Sequence, residues 1–261
     1  AKYIIDCGFT DISNIIQLVI NDDFAPYQYP ITKAYEMISC FEGLIEYYRI
    51  TGIEKYLVAA VNFGKAILDS DITVIGTAGC THELFDHSKN RQTVFYEGIM
   101  QETCVTVTWM KLCLQLLAIS GEAEFAEYFE QSLYNAYLGS VNTEKNVNER
   151  VLLNNPDAIL EPLPFDSYSS LRINTRGRGV GGFRLMPDNH YYGCCACIGA
   201  AGIGMVHKTA TMLSENGITL NLYINGTTKT LTPEGNALTL KVDTLYPAKG
   251  RVEITLNLEK T

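Results

Sequence analysis

Three thiols fall within four residues of "GCCAC": Cys194, Cys195 and Cys197. Neighbouring cysteines suit a shared metal better than a disulfide, because a ring closed between adjacent residues is strained and removes almost no chain entropy. A loop, by contrast, can turn both sulfurs of Cys194 and Cys195 toward one tetrahedral ion. A second pair of donors stands upstream in "QETC", where Glu102 and Cys104 open an apolar helical run. Residues i and i+2 of a regular helix point about 200° apart, so both face one ion only where the helix begins. Thr103 is the candidate N-cap there, and a helix N-terminus favours thiolate and carboxylate over their protonated forms. Three thiolates and a carboxylate would select zinc, by ligand softness and geometry. The doubled C-x-x-C spacing of familiar zinc modules is absent, and a buried free cysteine is often simply a small hydrophobe. Cys197 reads as core packing.

A further group sits in "CTHELFDH", where Glu83 occupies a loop or short turn ahead of Glu102. Paired acidic residues can divide acid and base roles, although a carboxylate in such a place is ordinarily a surface or capping group. His82, His87, His190 and His207 show no ligand spacing and read as surface or hydrogen-bonded core. Tyr191, Tyr192 and Trp109 can stack on a sugar, but aromatics more often pack. Arg176, Arg178, Arg184 and Asp166 can reach sugar hydroxyls or a sugar carboxylate, with loop salt bridges as the ordinary reading.

These residues need elements to hold them. The run 33–51 places Met37, Phe41, Leu44, Ile45 and Tyr48 at helical spacing, Gly52 ends it, and a second amphipathic run covers 54–68. The same grammar recurs: a helix from about Thr103 to Ile119, a break at Ser120-Gly121, and a helix from Glu122 to about Tyr137. Two hairpins of one design predict an array of paired helices, a solenoid or closed toroid, that buries its apolar faces by stacking. A long irregular stretch, about 142–193, follows and reads as an ordered functional loop. From about Ile218 the period changes to 2 in "ITLNLYIN", "ALTLKV" and "RVEITLNL", separated by "PEGN" and "YPAKG" turns, so three or four antiparallel strands are expected.

The balance of 29 acidic against 20 basic residues, a net charge of −9, argues against nucleic-acid binding, which needs a basic surface. No run approaches the roughly 20 apolar residues that cross a bilayer, and "AKYIIDCGFT" has neither a basic start nor a long apolar segment. A soluble protein with no membrane partner is expected. Its eight cysteines are expected to be reduced, with some on a metal, which favours the cytoplasm over the periplasm.

The order of a loop Glu (Glu83), Glu-x-Cys at a helix start (Glu102, Cys104) and a later Gly-Cys-Cys (Gly193, Cys194, Cys195), on paired helices that lead into strands, resembles glycoside hydrolase family 127, the bacterial β-L-arabinofuranosidases. The likeness extends over "KAYEMISCFEGLIEYYRITG", "FDSYSSL" and "VGGF". It implies a mainly α fold: the later half of an (α/α)6 barrel in 1–212, followed by the start of an antiparallel β-sandwich in 213–261. Both ends of the molecule are then expected to lie outside this chain, and a homodimer through the β domain is an expectation.

The resemblance also implies roles. Glu83 is the acid/base, Glu102, Cys104, Cys194 and Cys195 are zinc ligands, and Cys194 is the nucleophile of a retaining exo-glycosidase acting on an L-arabinofuranose-like terminal sugar of plant-type oligosaccharides. Cys197 and Ile198 depart from the family pattern, which implies a variant branch with a different sugar. Two other readings stand beside this one: a carbohydrate-binding or scaffold module with a structural zinc, and a secreted protein whose thiols form disulfides.

Overall fold

The computed structural model describes residues 15–21, 24–81, 83–94, 101–141, 184–185, 191–192 and 194–259. The protein is mostly helical, with antiparallel sheet at the C-terminal end. Among the described residues the α-helices are α1 (Ile15–Asn21), α2 (Ala34–Thr51), α3 (Glu54–Ser70), α4 (Ser88–Arg91), α5 (Thr103–Ser120), α6 (Ala123–Ser132) and α7 (Cys194–Ala210). Both predicted hairpins are present. α2 and α5 each end at a left-handed glycine, Gly52 (φ 66°) and Gly121 (φ 71°), whose N–H closes on the carbonyl four residues back. A side chain resists that conformation and glycine does not, so each helix stops there and its partner starts two residues later.

The helices bury one shared core. α2 packs on α3 and α5, α5 packs on α6, and α1 covers α3. Phe41 of α2 stacks on Phe63 of α3 at 3.8 Å between ring centroids, and Phe85, just past Glu83, meets Phe63 edge-on at 6.0 Å. α5 is the central element: Val105, Trp109, Met110, Leu112, Cys113 and Leu116 are all fully buried. By length and composition α5 could cross a bilayer, but two-thirds of it lies inside the fold. Trp109 is thus core, not a sugar platform.

Where α3 meets this core it carries Gly64. A Cβ there would stand 2.5 Å from Leu116 Cδ1 and 3.1 Å from Phe125 Cε1, and both neighbours are fully buried. Gly64→Ala is therefore expected to lower stability by about 1–3 kcal/mol through overpacking, despite alanine's better helix propensity; chemical denaturation measures it.

α6 continues into one π-turn, Leu133–Tyr137, where a regular helix was expected. Ser132 just before it accepts the close approach of Gly76, to whose carbonyl its hydroxyl donates at 2.7 Å. Such turns are frequent at functional sites, and this one ends on Tyr137.

The chain divides into two compact units, Ala1–Gly202 and Ile203–Thr261. In the second, β3 (Thr211–Ser214) and β4 (Gly217–Leu220) form one antiparallel pair, and β5 (Gly226–Leu231), β6 (Ala237–Thr244) and β7 (Val252–Glu259) form a three-stranded antiparallel sheet. Leu240 lies opposite Leu256 and Val242 opposite Ile254, as the period-2 pattern requires. "ITLNLYIN" yields a shorter strand than expected. Asn221 and Leu222 turn their N–H groups to Ala210 O, and the Asn221 side chain bonds Thr209 O at 2.9 Å, so pairing ends at Leu220. Two short strands, β1 (Arg184–Leu185) and β2 (Tyr191–Tyr192), pair antiparallel. The rest of the expected functional loop, including Asp166, Arg176, Arg178 and His190, lies outside the described residues, as do His82, Gly193 and the side chains of Arg184, Tyr191 and Tyr192.

Candidate metal centre and cavity

Two helix starts face each other. At the first, Glu102 itself is the extended N-cap of α5 (φ −75°, ψ 134°) and Thr103 is the first helical residue, which corrects the expected cap. The Glu102 side chain caps no N–H of its own helix and is instead free to turn into the site. Thr106 fixes this end: its hydroxyl bonds Thr77 Oγ1 at 2.8 Å and Glu102 O at 3.0 Å.

At the second, Cys194 and Cys195 occupy the opening turn of α7 rather than a loop. Tyr137, delivered by the π-turn, donates its hydroxyl to Gly199 O at 2.6 Å. Its ring lies so close to Gly202 that a Cβ there would come within 2.4 Å. Glycine at 202 is what lets the tyrosine dock, and the docking brings the start of α7 to the start of α5.

One donor atom from each of Glu102, Cys104, Cys194 and Cys195 then lies within 4.8 Å of all the others. Cys104 Sγ is 3.9 Å from Cys195 Sγ, and Glu102 Oε1 accepts from Cys194 Sγ at 3.5 Å and from Cys195 Sγ at 4.0 Å. Glu102 Oε2 is buried with no hydrogen-bond partner. None of the seven described cysteines is in a disulfide.

Crowding makes Glu102, Cys104 and Cys194 hard to ionise. Burial, then the charges of Cys195 and Glu83, push the Glu102 carboxyl up to about 8. Hydrogen bonds with Cys194 and Cys195, with burial added, raise the Cys104 thiol far above its usual range. Cys194 is pulled down by its bond with Cys104, but Cys195, burial and Glu102 outweigh that and hold it at about 12. A divalent cation among the four would reverse every one of these shifts. The orphaned Glu102 oxygen and a donor set of three sulfurs and one carboxylate fit a metal ion.

A group raised in the fold stabilises below its ordinary range and stops doing so as pH climbs through its folded value. Metal-free protein is therefore expected to melt at progressively lower temperature between the ordinary carboxylate range and pH about 8, where Glu102 ionises. Glu102→Gln should flatten that slope in thermal melts run with a chelator.

Glu83 reaches the same place from a loop. Its backbone is left-handed (φ 66°), its carbonyl accepts from Ala34 N at 2.8 Å, and Phe85 N bonds Thr32 O at 2.7 Å. Asp71, fully buried, accepts from the N–H groups of Asp86 (2.9 Å) and Ser88 (3.2 Å) and ties down the far end of the loop. Lys33 at the start of α2 forms an ion pair with the Glu83 carboxylate. Non-glycine residues rarely hold a positive φ unless their surroundings impose it, and such positions cluster at functional sites.

Glu83, Glu102, Cys104 and Cys194 line one cavity of about 480 Å³, together with Tyr35, Glu36, Cys197, Ile198 and Ala201. That volume suits a monosaccharide. Cys197 is exposed there, not packed in the core as expected. Helical spacing puts Cys194, Cys197, Ile198 and Ala201 on one face, a signal present in the sequence once Cys194 is known to open a helix. Of the histidines, His87 stacks on Tyr27 at 4.6 Å and His207 lies exposed in the other unit; neither lines this cavity.

Residues 12–153 match the model of the β-L-arabinofuranosidase GH127 catalytic domain. The chain belongs to that family. Among solved structures, it is similar to a GH127 β-arabinofuranosidase at 18% identity with a TM-score of 0.64, over 91% of this chain and 33% of that one. It is also similar to a GH127 β-L-arabinofuranosidase from Geobacillus stearothermophilus T6, at 14% identity and a TM-score of 0.60, over 87% of this chain and 33% of that one. A third, described as a glycoside hydrolase, has 20% identity and a TM-score of 0.58, over 87% and 37%. This GH127 chain thus spans about a third of the length of these structures. No curated protein matches it in sequence.

Proposed function

We propose that the protein is a retaining exo-glycosidase releasing a terminal L-arabinofuranose-like sugar from plant-type glycans, with Cys194 as nucleophile and Glu83 as acid/base. The observation that carries this reading is the meeting of Glu83 and Cys194 in one sugar-sized cavity beside three further metal donors. Its architecture is read as the later part of an (α/α)6 barrel, 1–212, and the start of a β-sandwich, 213–261; the two helical hairpins and the solved GH127 neighbours support this.

In the first step the Cys194 sulfur attacks the anomeric carbon while the glycosidic C–O bond breaks and Glu83 gives its proton to the departing oxygen. In the second, Glu83 takes a proton from water, the water oxygen attacks the same carbon, and the C–S bond breaks. Two inversions give net retention. Glu102, Cys104, Cys194 and Cys195 would hold zinc, which when bound supplies the positive charge that keeps thiols deprotonated at neutral pH. Around the sugar, Tyr35 and Glu36 from α2 offer a hydroxyl and a carboxylate for sugar hydroxyls.

A glycoside panel that includes β-L-arabinofuranosides, assayed with and without a chelator, tests the reading. Chelator-sensitive release of L-arabinose is expected, with about one zinc per chain by atomic emission, four protein donors making one tetrahedral site. The four donors leave no open coordination position, which favours a second reading: a carbohydrate-binding module with a structural zinc. Glycan binding without turnover, unchanged in Glu83→Gln, would select it.

A further inference from the structure

We propose that Cys197 is a resolving thiol for Cys194, and that peroxide converts the pair to a disulfide across the first turn of α7, closing the site reversibly. Cys194 and Cys197 are both exposed and both line the 480 Å³ cavity, whereas Cys195 between them is buried. They stand at C-x-x-C spacing at a helix start. Three residues of α-helix separate their Cα atoms by about 5 Å, inside the roughly 4.4–6.8 Å that a disulfide spans. Cys197 is not one of the four clustered donors, so it has no place in holding the ion. Cys80 and Cys113 are buried and Cys40 is half-buried, and none of them lines the cavity. The competing pairs are Cys104 with Cys195, whose sulfurs are 3.9 Å apart, and Cys104 with Cys194, which share a hydrogen bond.

The chemistry balances with hydrogen peroxide as oxidant. The Cys194 sulfur attacks one peroxide oxygen, the O–O bond breaks, and the thiol proton leaves with the other oxygen as water, giving a sulfenic acid. The Cys197 sulfur then attacks the Cys194 sulfur, the S–O bond breaks, and the hydroxyl departs with the Cys197 proton as a second water. Two thiols are oxidised and one peroxide is reduced. Without Cys197 the sulfenic acid stays exposed in the cavity, and a second hydrogen peroxide gives it another oxygen and leaves as water, forming sulfinic acid, which thiols do not reverse. Loss of activity on oxidation rests on the proposed role of Cys194; formation of the disulfide does not.

The test treats the protein and its Cys197→Ser and Cys197→Ala variants with hydrogen peroxide, then reads tryptic peptides and residual activity before and after dithiothreitol, each normalised to its own untreated rate. All three clustered cysteines of α7 fall on the peptide Leu185–Lys208, and Cys104 falls on Gln92–Lys111. The unsubstituted protein is expected to show Leu185–Lys208 lighter by two hydrogens, with fragments assigning the bond to Cys194 and Cys197, and to regain activity with dithiothreitol. Both variants are expected to gain two oxygens on Cys194 and to stay inactive. A Leu185–Lys208 peptide crosslinked to Gln92–Lys111, or equal over-oxidation with and without Cys197, overturns the inference. A Cys194–Cys197 disulfide that leaves turnover intact upholds the thiol pairing, overturns closure of the site, and removes Cys194 from the role of nucleophile.

Discussion

Cys194→Ala is expected to abolish turnover, with kcat falling by on the order of 10⁴ to 10⁶, the scale seen when a covalent nucleophile is removed from an enzyme that keeps its binding site. The site argues for so large an effect because Cys194 is the one exposed thiol among the four clustered metal donors. Cys104 and Cys195 are buried, and Glu102 is turned inward with its second oxygen orphaned. The substitution also takes one donor from the cluster, so rate and metal content must be measured together. Atomic emission on the purified variant, beside kcat on the best glycoside, separates the two losses. Zinc retained by Glu102, Cys104 and Cys195 with turnover gone is the expected pair of results. A glycosyl adduct trapped on the Leu185–Lys208 peptide of the unsubstituted protein would locate the bond directly. Full activity in Cys194→Ser would end the assignment.

Glu83→Gln carries the second large effect, a fall of about 10²–10⁴ in kcat on glycosides with poor leaving groups. Glutamine preserves the shape of the side chain and a hydrogen bond to Lys33, and it adds no strain beyond the left-handed backbone that Glu83 already adopts. What it cannot do is give up a proton. A leaving group that departs as a stable anion does not need that proton, so aryl glycosides with acidic phenols should lose far less in their first step than alkyl glycosides do. Rates measured across a series of leaving groups check this: the dependence on leaving-group pKa should steepen in the variant. A parallel shift, equal for good and poor leaving groups, would mean that Glu83 holds the loop and takes no part in proton transfer.

Some of this was legible in the linear chain because its cause is local. Gly52 and Gly121 end their helices through a conformation that depends on one residue, and the 3.6-residue spacing of Met37, Phe41, Leu44 and Ile45 marks a buried face regardless of what covers it. β6 and β7 follow the period-2 pattern for the same reason. Other features depend on partners that the local pattern does not reveal. The π-turn at Leu133–Tyr137 lies where Ser132 and Ala136 bond back to Gly76 and Ile75 of a distant loop. The N-cap of α5 is Glu102 and not Thr103, and its side chain makes no cap hydrogen bond, so the usual Ser/Thr signal does not mark this helix start. Trp109 matched a sugar platform by type, yet its helix turned out to be the centre of the core.

By itself the sequence determined the kinds of atoms available: three close thiols, a Glu-x-Cys at a helix start, a loop glutamate, and the helices and strands that carry them. Tertiary structure alone decided that Cys104 and Cys195, 91 residues apart, come within 3.9 Å, and that Cys197 faces the cavity while Cys195 turns inward. The physical reason is that the meeting depends on how α7 docks, through Tyr137, Gly199 and Gly202, and no local spacing encodes that placement. Proximity and burial then do what composition cannot: burial first raises Glu102, hydrogen bonds among the sulfurs with burial raise Cys104 and Cys194, and the four donors together make a site that favours a cation.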